Sequence, residues 1–221
     1  MLQSLLPYKE ILCSVPLFRG FDDGELDRAL SFCSAVLRRY ERGTLLHRSG
    51  EPMRHFGLVL SGSVQVCADD LDGNRMIMAD VTEGVSFGES LCYLRADDPP
   101  VYIFAAEDCT ILLLSCDAFF RPLSDPFSVG LLRRFTSMLA ARTLSMNSRI
   151  QILSKRTIRE KLMTYFSELA ASGATRSFTV PLSREDMAAY LGTNRSALSR
   201  ELSRMQRDGL IRFRGNRFEI L

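Results

Sequence analysis

The stretch Ser183–Ile211, SREDMAAYLGTNRSALSRELSRMQRDGLI, admits few folds. Ser183 can cap a helix, with Asp186 three residues on in a capping-box arrangement. Met187, Ala188 and Leu191 fall on the apolar side of that helix. Gly192 ends it as a residue able to take positive φ, and Thr193 or Asn194 supplies a new N-cap. In the next helix Leu198, Leu202 and Met205 recur at spacings of four and three, so they face inward. The pattern predicts two short helices joined by a tight turn.

The outward face of the second helix carries Arg195, Ser196, Ser199, Arg200 and Ser203, with Arg204 beside them and Thr193 and Asn194 at its start. An arginine fork can bond both major-groove acceptors of a guanine, and small serines let a helix backbone approach the groove. A helical hairpin with a solvated basic face has the same composition, and the next residues separate the two readings. After Gly209, apolar and polar residues alternate on both sides of Gly215-Asn216, the signature of a two-residue hairpin. One face of that hairpin packs, and the other shows Arg212, Arg214 and Arg217, suited to phosphate contact. The whole reads as a winged helix-turn-helix.

Charge divides the chain accordingly. Residues 1–146 hold 14 Lys/Arg against 19 Asp/Glu, a net −5, and residues 147–221 hold 14 against 7, a net +7. An acidic front and a basic back fit a regulatory domain joined to a nucleic-acid module. A content of 46% apolar and 24% charged residues describes a soluble globular protein. No apolar run approaches the roughly 18 residues of a membrane span, and the start MLQSLLPYKE lacks a signal-peptide layout, so a cytoplasmic protein without membrane contact is expected. Cys13, Cys33, Cys67, Cys92, Cys109 and Cys116 form no C-x-x-C pair, and His47 and His55 are the only histidines. Buried free thiols are expected rather than a metal or iron–sulfur site.

Residues 1–40 read as helical, with Leu26, Leu30, Cys33 and Val36–Leu37 at helical spacing. From about Arg42 to Cys116 short apolar runs alternate with glycines. Phe56–Leu60, Val64–Cys67, Met76–Val81, Val101–Ala105 and Thr110–Leu114 are strand candidates, with a turn at Asp70–Asn74; many short strands imply a barrel or roll. Asp125 can cap a helix whose first turn holds Pro126. Val129, Leu132, Thr136, Leu139, Thr143, Met146, Ile150 and Leu153 then form a seam at spacings of three and four. This helix, about 125–153, is expected to pair with a second copy, with Arg133, Arg134 and Arg142 as its solvated flank. Thr157 and Glu160 make another capping box, so a new helix carrying Ile158, Leu162, Tyr165, Phe166 and Leu169 begins after a break at 154–157. Ala171–Ser177 reads as a loop and Phe178–Pro181 as a short strand. The expected architecture is α+β: a sensor domain over 1–154, comprising an N-terminal β-roll of jelly-roll type and the long helix, and a winged helix-turn-helix over 155–221.

This organisation resembles the CRP/FNR family of bacterial transcription regulators over nearly the whole chain. The most specific stretches are Gly43…Gly50-Glu51, Gly62-Ser63-Val64, Gly84-Val85-Ser86-Phe87-Gly88-Glu89 and Gly192–Arg200. The resemblance implies a homodimer that binds double-stranded DNA at a two-fold operator, contacts RNA polymerase and is controlled by a small-molecule effector. The family's two recognition arginines match Arg195 and Arg200. Many members carry a glutamate between them where this chain has Ser196, a weaker partner for cytosine, so the preferred operator is expected to differ there.

Nucleotide-binding members hold the cyclic phosphate in a cassette that opens Phe-Gly-Glu and closes about ten residues later in Arg-Ser. Phe87-Gly88-Glu89, followed by Ser90, stands here, but the closing positions are Pro99-Pro100. The phosphate-neutralising arginine is absent and proline offers no backbone donor. Arg95 comes four residues early, and Asp97-Asp98 would oppose an anion. Met146 and Asn147 fall where such members place small hydroxyls. Cyclic AMP is therefore not the expected signal. The oxygen sensors' N-terminal cysteine cluster is reduced to Cys13, so no iron–sulfur centre is expected. Cys67, His47 and His55 are candidate haem ligands, and a thiol switch at Cys92, Cys109 or Cys116 stays open; the effector is unknown. A ligand-sensing module without DNA output is the competing class. The chain has no nucleophile elbow, Walker-type loop, H-E-x-x-H or dinucleotide fingerprint, and no enzyme is expected.

Overall fold

The computed structural model describes residues 5–69, 75–173, 176–180 and 182–221. The turn expected at Asp70–Asn74, and Pro181, lie outside them. The chain forms two compact units, Met1–Ala140 and Ala141–Leu221.

In the first unit a 3-10 turn (Leu6–Tyr8) leads into α1 (Lys9–Ser14), and α2 spans Asp23–Phe32. Asp22 caps α2 by accepting from the Glu25 N–H at 2.8 Å, while Glu25 accepts from the Asp22 N–H at 3.1 Å. The helical reading of residues 1–40 fails at Val36–Leu37. Ser34 takes φ +47°, which ends the helix, and Val36–Tyr40 becomes strand β1, paired with the strand Cys109–Ser115. Leu26, Leu30 and Cys33 are buried under this end of the roll.

The roll consists of two four-stranded antiparallel sheets. Its strands are β1, β2 (Leu45–His47), β3 (His55–Ser61), β4 (Ser63–Asp69), β5 (Arg75–Thr82), β6 (Ser86–Phe87), β7 (Tyr102–Ala105) and β8 (Cys109–Ser115), with helix α3 (Glu89–Tyr93) between β6 and β7. One sheet runs β1-β8-β3-β6 and the other β2-β7-β4-β5. All five expected strands are present. Phe56, Leu58, Val64, Ile103, Ile111 and Leu114 are buried in its hydrophobic core.

After a second 3-10 turn (Asp117–Phe120), α4 runs Pro126–Leu153. Asp125 caps it, accepting from the N–H groups of Phe127 at 3.1 Å and Ser128 at 3.2 Å. Its fully buried residues are Leu131 and Phe135 in the first unit and Ile152 in the second. The Phe135 ring lies 5.0 Å from Phe119 and 5.5 Å from both Phe56 and Tyr93. Along the seam only Leu132 and Leu139 pack on this core, whereas Val129 is 50%, Met146 60% and Ile150 61% exposed. Arg134 is not a solvated flank residue. Its Nη1 donates to the Arg19 carbonyl at 2.7 Å and its guanidinium covers the Phe21 ring at 4.4 Å.

The second unit contains α5 (Ile158–Gly173), β9 (Ser177–Thr179), α6 (Arg184–Tyr190), α7 (Arg195–Arg207), β10 (Ile211–Arg214) and β11 (Arg217–Ile220). The Thr157–Glu160 capping box is formed: Thr157 Oγ1 accepts from the Glu160 N–H, and Glu160 accepts from the N–H groups of Thr157 and Arg156. Those bonds hold the Glu160 carboxyl below its ordinary pKa, the Thr157 N–H contributing most. Helix α5 continues through Ala171 to Gly173, where a loop was expected. Strand β9 begins one residue earlier than expected, because its partner β11 sets the register Ser177↔Glu219 to Thr179↔Arg217. Phe166, fully buried, packs 4.7 Å from Phe218 and 5.5 Å from Phe178, so one aromatic cluster joins helix to hairpin. Among the described residues no helix is long and apolar enough to cross a membrane.

Candidate nucleic-acid interface and effector cassette

Two caps position the reading helix. Ser183 accepts from the Asp186 N–H at the start of α6, and Asn194 Oδ1 accepts from the Ala197 N–H at 2.8 Å at the start of α7. Gly192 between them takes φ +61°, which makes the turn tight. Leu198, Leu202 and Met205 are buried, leaving Arg195, Ser196, Ser199, Arg200, Ser203 and Arg204 exposed on one face.

These side chains are not equivalent in the free protein. Arg200 has no ion-pair partner among the described residues, whereas Arg195 lies 3.9 Å from Glu185 and Arg204 lies 3.6 Å from Glu201. Ser196, expected to meet a base, donates its hydroxyl to Asn194 Oδ1 at 2.8 Å and so reinforces the cap. Thr193 is half-buried in the turn.

Behind α7 lies a support that the sequence did not reveal. Arg159, in the first turn of α5, donates Nε to Glu201 and Nη2 to Asp208, both at 2.7 Å. Its pKa is raised by these bonds, that to Glu201 most. Lys161 donates to the Leu191 carbonyl at the end of α6 at 3.0 Å. No local pattern marks these pairs, since the partners are 42 residues apart for Arg159–Glu201 and 30 for Lys161–Leu191.

The wing is the β10–β11 hairpin, turned at Gly215 with φ +59° and extended by β9. Arg212 is tied across the hairpin to Glu219 at 3.3 Å. Arg214 and Arg217 are exposed and stand directly opposite one another in the ladder. Arg184, from the first turn of α6, donates Nη2 to the Gly215 carbonyl at 2.7 Å and lies over the Phe218 ring at 4.8 Å. Its other terminal nitrogen is buried without a partner, and burial lowers its pKa. This clamp on the hairpin tip was also absent from the sequence reading.

In the roll, the Phe87 ring covers Gly57 of β3, where an added Cβ would meet ring carbons at 2.1–2.7 Å. Gly88 follows with φ +78° beneath Met53 and starts α3. Glu89 is 3% exposed, and its carboxylate accepts a hydrogen bond from Ser86 Oγ. Ser90 is exposed. Pro99 is buried, with its carbonyl accepting from the Gly50 N–H at 3.1 Å, and Pro100 is exposed. Arg95, the nearest cation in sequence, is engaged elsewhere: it pairs with Asp117 at 3.5 Å and lies over the Phe120 ring at 4.1 Å. Met146 and Asn147 belong to the second unit and are exposed there. Of the remaining candidate ligands Cys67 is buried and His55 exposed, while His47 is half-buried with its Nε2 lacking a partner and its pKa lowered by desolvation.

Comparison with known proteins matches this layout. A Crp-like helix-turn-helix domain model covers residues 160–221 and a cyclic nucleotide-binding domain model covers residues 37–125, together about two thirds of the chain. The CRP-like protein Clp of Xanthomonas euvesicatoria pv. vesicatoria is 24% identical over 203 residues, spanning 89% of this chain and 87% of that protein. A solved putative cyclic nucleotide binding protein from Ruegeria pomeroyi DSS-3 shares the fold at TM-score 0.55 and 22% identity, over 98% of this chain and 94% of that one. The CLP structure of Xanthomonas campestris, described as a c-di-GMP responsive global regulator, does so at TM-score 0.53 and 22% identity, over 90% and 99%. A roll matched by the nucleotide-binding model, a long helix and a winged helix-turn-helix with an open arginine face place this chain in the CRP/FNR family of DNA-binding transcription regulators.

Proposed function

We propose that this regulator works as a homodimer that reads a two-fold DNA site with α7, under control of an effector other than cyclic AMP. The observation that carries the reading is the exposed face of α7, where Arg195, Ser199 and Arg200 stand clear of the core on a helix fixed at both ends. Thr193, Asn194, Ser196 and Arg204 border that face, and Arg212, Arg214 and Arg217 supply phosphate contacts from the wing. Dimerisation is supported by Val129, Met146 and Ile150, an apolar row on α4 that the chain itself leaves uncovered. A second copy of the same helix would bury it and give the two-fold symmetry that an operator mirrors.

The break at 154–157 serves as the hinge between a sensor over 1–154 and a reader over 155–221, and RNA polymerase is the expected partner at promoters. Phe87, Gly88, Glu89 and Ser90, closed by Pro99 and Pro100, form the effector cassette. Arg95, the cation nearest to it in sequence, is held by Asp117 and Phe120 rather than free for a cyclic phosphate. An effector acts here only through unequal affinity for two states of the protein.

The test is binding to the upstream region of its own gene across a salt series, with sedimentation to follow the dimer. Wild-type protein is expected to bind as a dimer with a steep salt slope. Arg195→Ala with Arg200→Ala should remove sequence preference, and Ile150→Glu should produce monomers. No salt-dependent binding to any fragment would overturn the proposal; unchanged cellular output from the double-alanine variant would favour a sensor acting through protein contacts. Thermal denaturation with cyclic AMP, cyclic di-GMP and haem tests the effector. A ligand at 100 times its Kd adds about 2.7 kcal/mol.

A further inference from the structure

A cavity of about 460 Å³ opens in the first unit and shares no lining residue with the cassette. The last turn of α2, the start of β3, the end of β8 and the segment leading into α4 enclose it. Ser31, Ser34, Ser115, Ser124 and Ser128 bring hydroxyls to its wall. His55 and Arg121 stand beside them, and Phe32, Pro122 and Leu123 supply apolar surface.

The wall is fixed by its own bonds. The Ser115 N–H donates to the Cys33 carbonyl at 2.7 Å, which ties β8 to the residue after α2. Ser128 is 3% exposed, and its hydroxyl donates to the Asp125 carboxylate, which also accepts from Arg28 at 2.6 Å. Ser34 holds φ +47°, a conformation that residues with a Cβ seldom adopt. Other polar groups in the wall are unspent. The side chains of His55 and Arg121 have no partner among the described residues. Ser115 is buried, and its Oγ accepts from the Asp117 N–H at 3.1 Å, so its own proton is left for an acceptor.

This lining selects for polarity without strong charge. An apolar ligand would strand the hydroxyls and the imidazole. Arg121 favours an anion, but Asp117 and Asp125 stand in the same wall, and the last turn of α2 presents the negative end of its dipole. A neutral molecule that donates and accepts at many points, with one C–H face for Phe32, satisfies all of these groups together.

We propose that this cavity binds a monosaccharide, a small neutral polyhydroxylated ring. Its hydroxyls bond Arg121, His55 and the serines, and its C–H face lies on Phe32. The volume falls within the range of small-molecule sites, about 300–1,000 Å³. Asp125 caps α4 and Ser128 lies in its first turn, so the sugar meets the start of the helix that runs to Leu153. The inference goes beyond the DNA-binding reading and does not depend on it.

Calorimetric titration of the full-length protein with D-glucose, D-galactose and D-mannose tests it, with their 6-phosphates as charged counterparts. At least one neutral sugar should bind with a Kd of about 1 mM or tighter, and its phosphate at least about ten-fold more weakly. Arg121→Ala and His55→Ala, both at exposed positions, should each weaken binding at least about five-fold. Ser31→Trp, from an exposed position on α2, should fill the cavity and abolish binding; should it fail to fold, the two alanine variants carry the test. Hydrogen exchange with the sugar bound should slow across residues 31–35 and 117–128. Slowing at residues 87–90 instead places the sugar in the cassette and overturns the proposal. Tighter binding of the phosphates overturns it too, as does binding that a folded Ser31→Trp leaves intact. No binding by any of the three sugars at about 10 mM is equally fatal.

Discussion

Replacing Gly57 by alanine tests how the roll holds the start of the effector cassette. Gly57 pairs with Phe87 across β3 and β6, and its backbone is one that alanine adopts freely. The whole cost is therefore steric. An added Cβ would lie 2.1 Å from Phe87 Cζ, with the next two ring carbons at 2.4 and 2.7 Å. Carbon atoms rest at about 3.5 Å or more, so the overlap is over an ångström and the ring must leave its site. Phe87 is 4% exposed, and overpacking of this kind costs about 1–3 kcal/mol. At about 2–4 °C per kcal/mol the melting point falls measurably. Denaturant unfolding of Gly57→Ala, Phe87→Leu and the double variant supplies the check. The ring is the obstacle, so the double variant should be more stable than the sum of the two changes by about 1 kcal/mol or more. Additivity within about 0.5 kcal/mol would refute the argument that Gly57 is needed to seat Phe87.

Other outcomes follow from the DNA-facing unit. Arg200→Ala should cost about 1–3 kcal/mol of specific binding and relax one base position, whereas Arg214→Ala should weaken all sequences alike, as competition assays with operator variants would show. Arg184→Met, which frees the hairpin tip, should speed amide exchange in β10 and β11 and lower affinity evenly, while the ranking of base variants stays unchanged. Glu160 has a folded pKa below 4.5, so its contribution is complete above that value and is lost as pH falls through the folded value. Acid unfolding of Glu160→Gln should lack that part of the pH dependence, and an identical acid profile would contradict it.

Local rules made the reader legible. The caps at Ser183, Asn194 and Thr157, the positive φ of Gly192 and the alternation around Gly215 each act within four residues, and each stands in the structure. What the sequence concealed depends on distant partners. β1 is rich in charge and lacks a clean alternation at Arg38–Arg39, and only its ladder with β8 makes it a strand. On α4 two apolar rows run side by side, and spacing alone does not say which one the chain keeps. Leu131 and Phe135 pack inside, and Val129, Met146 and Ile150 stay out. In the cassette Phe-Gly-Glu was readable, but the capture of Arg95 by Asp117 joins two segments that no motif links.

Arg214 and Arg217 face each other across the wing ladder, so the unbound hairpin carries a like-charge repulsion that a phosphate between them would turn into attraction. Ionic strength then acts on the two states with opposite sign. Salt screens the repulsion and steadies the empty wing, and the same salt weakens its grip on a polyanion. The hairpin is most ordered by itself under the conditions in which it binds least well.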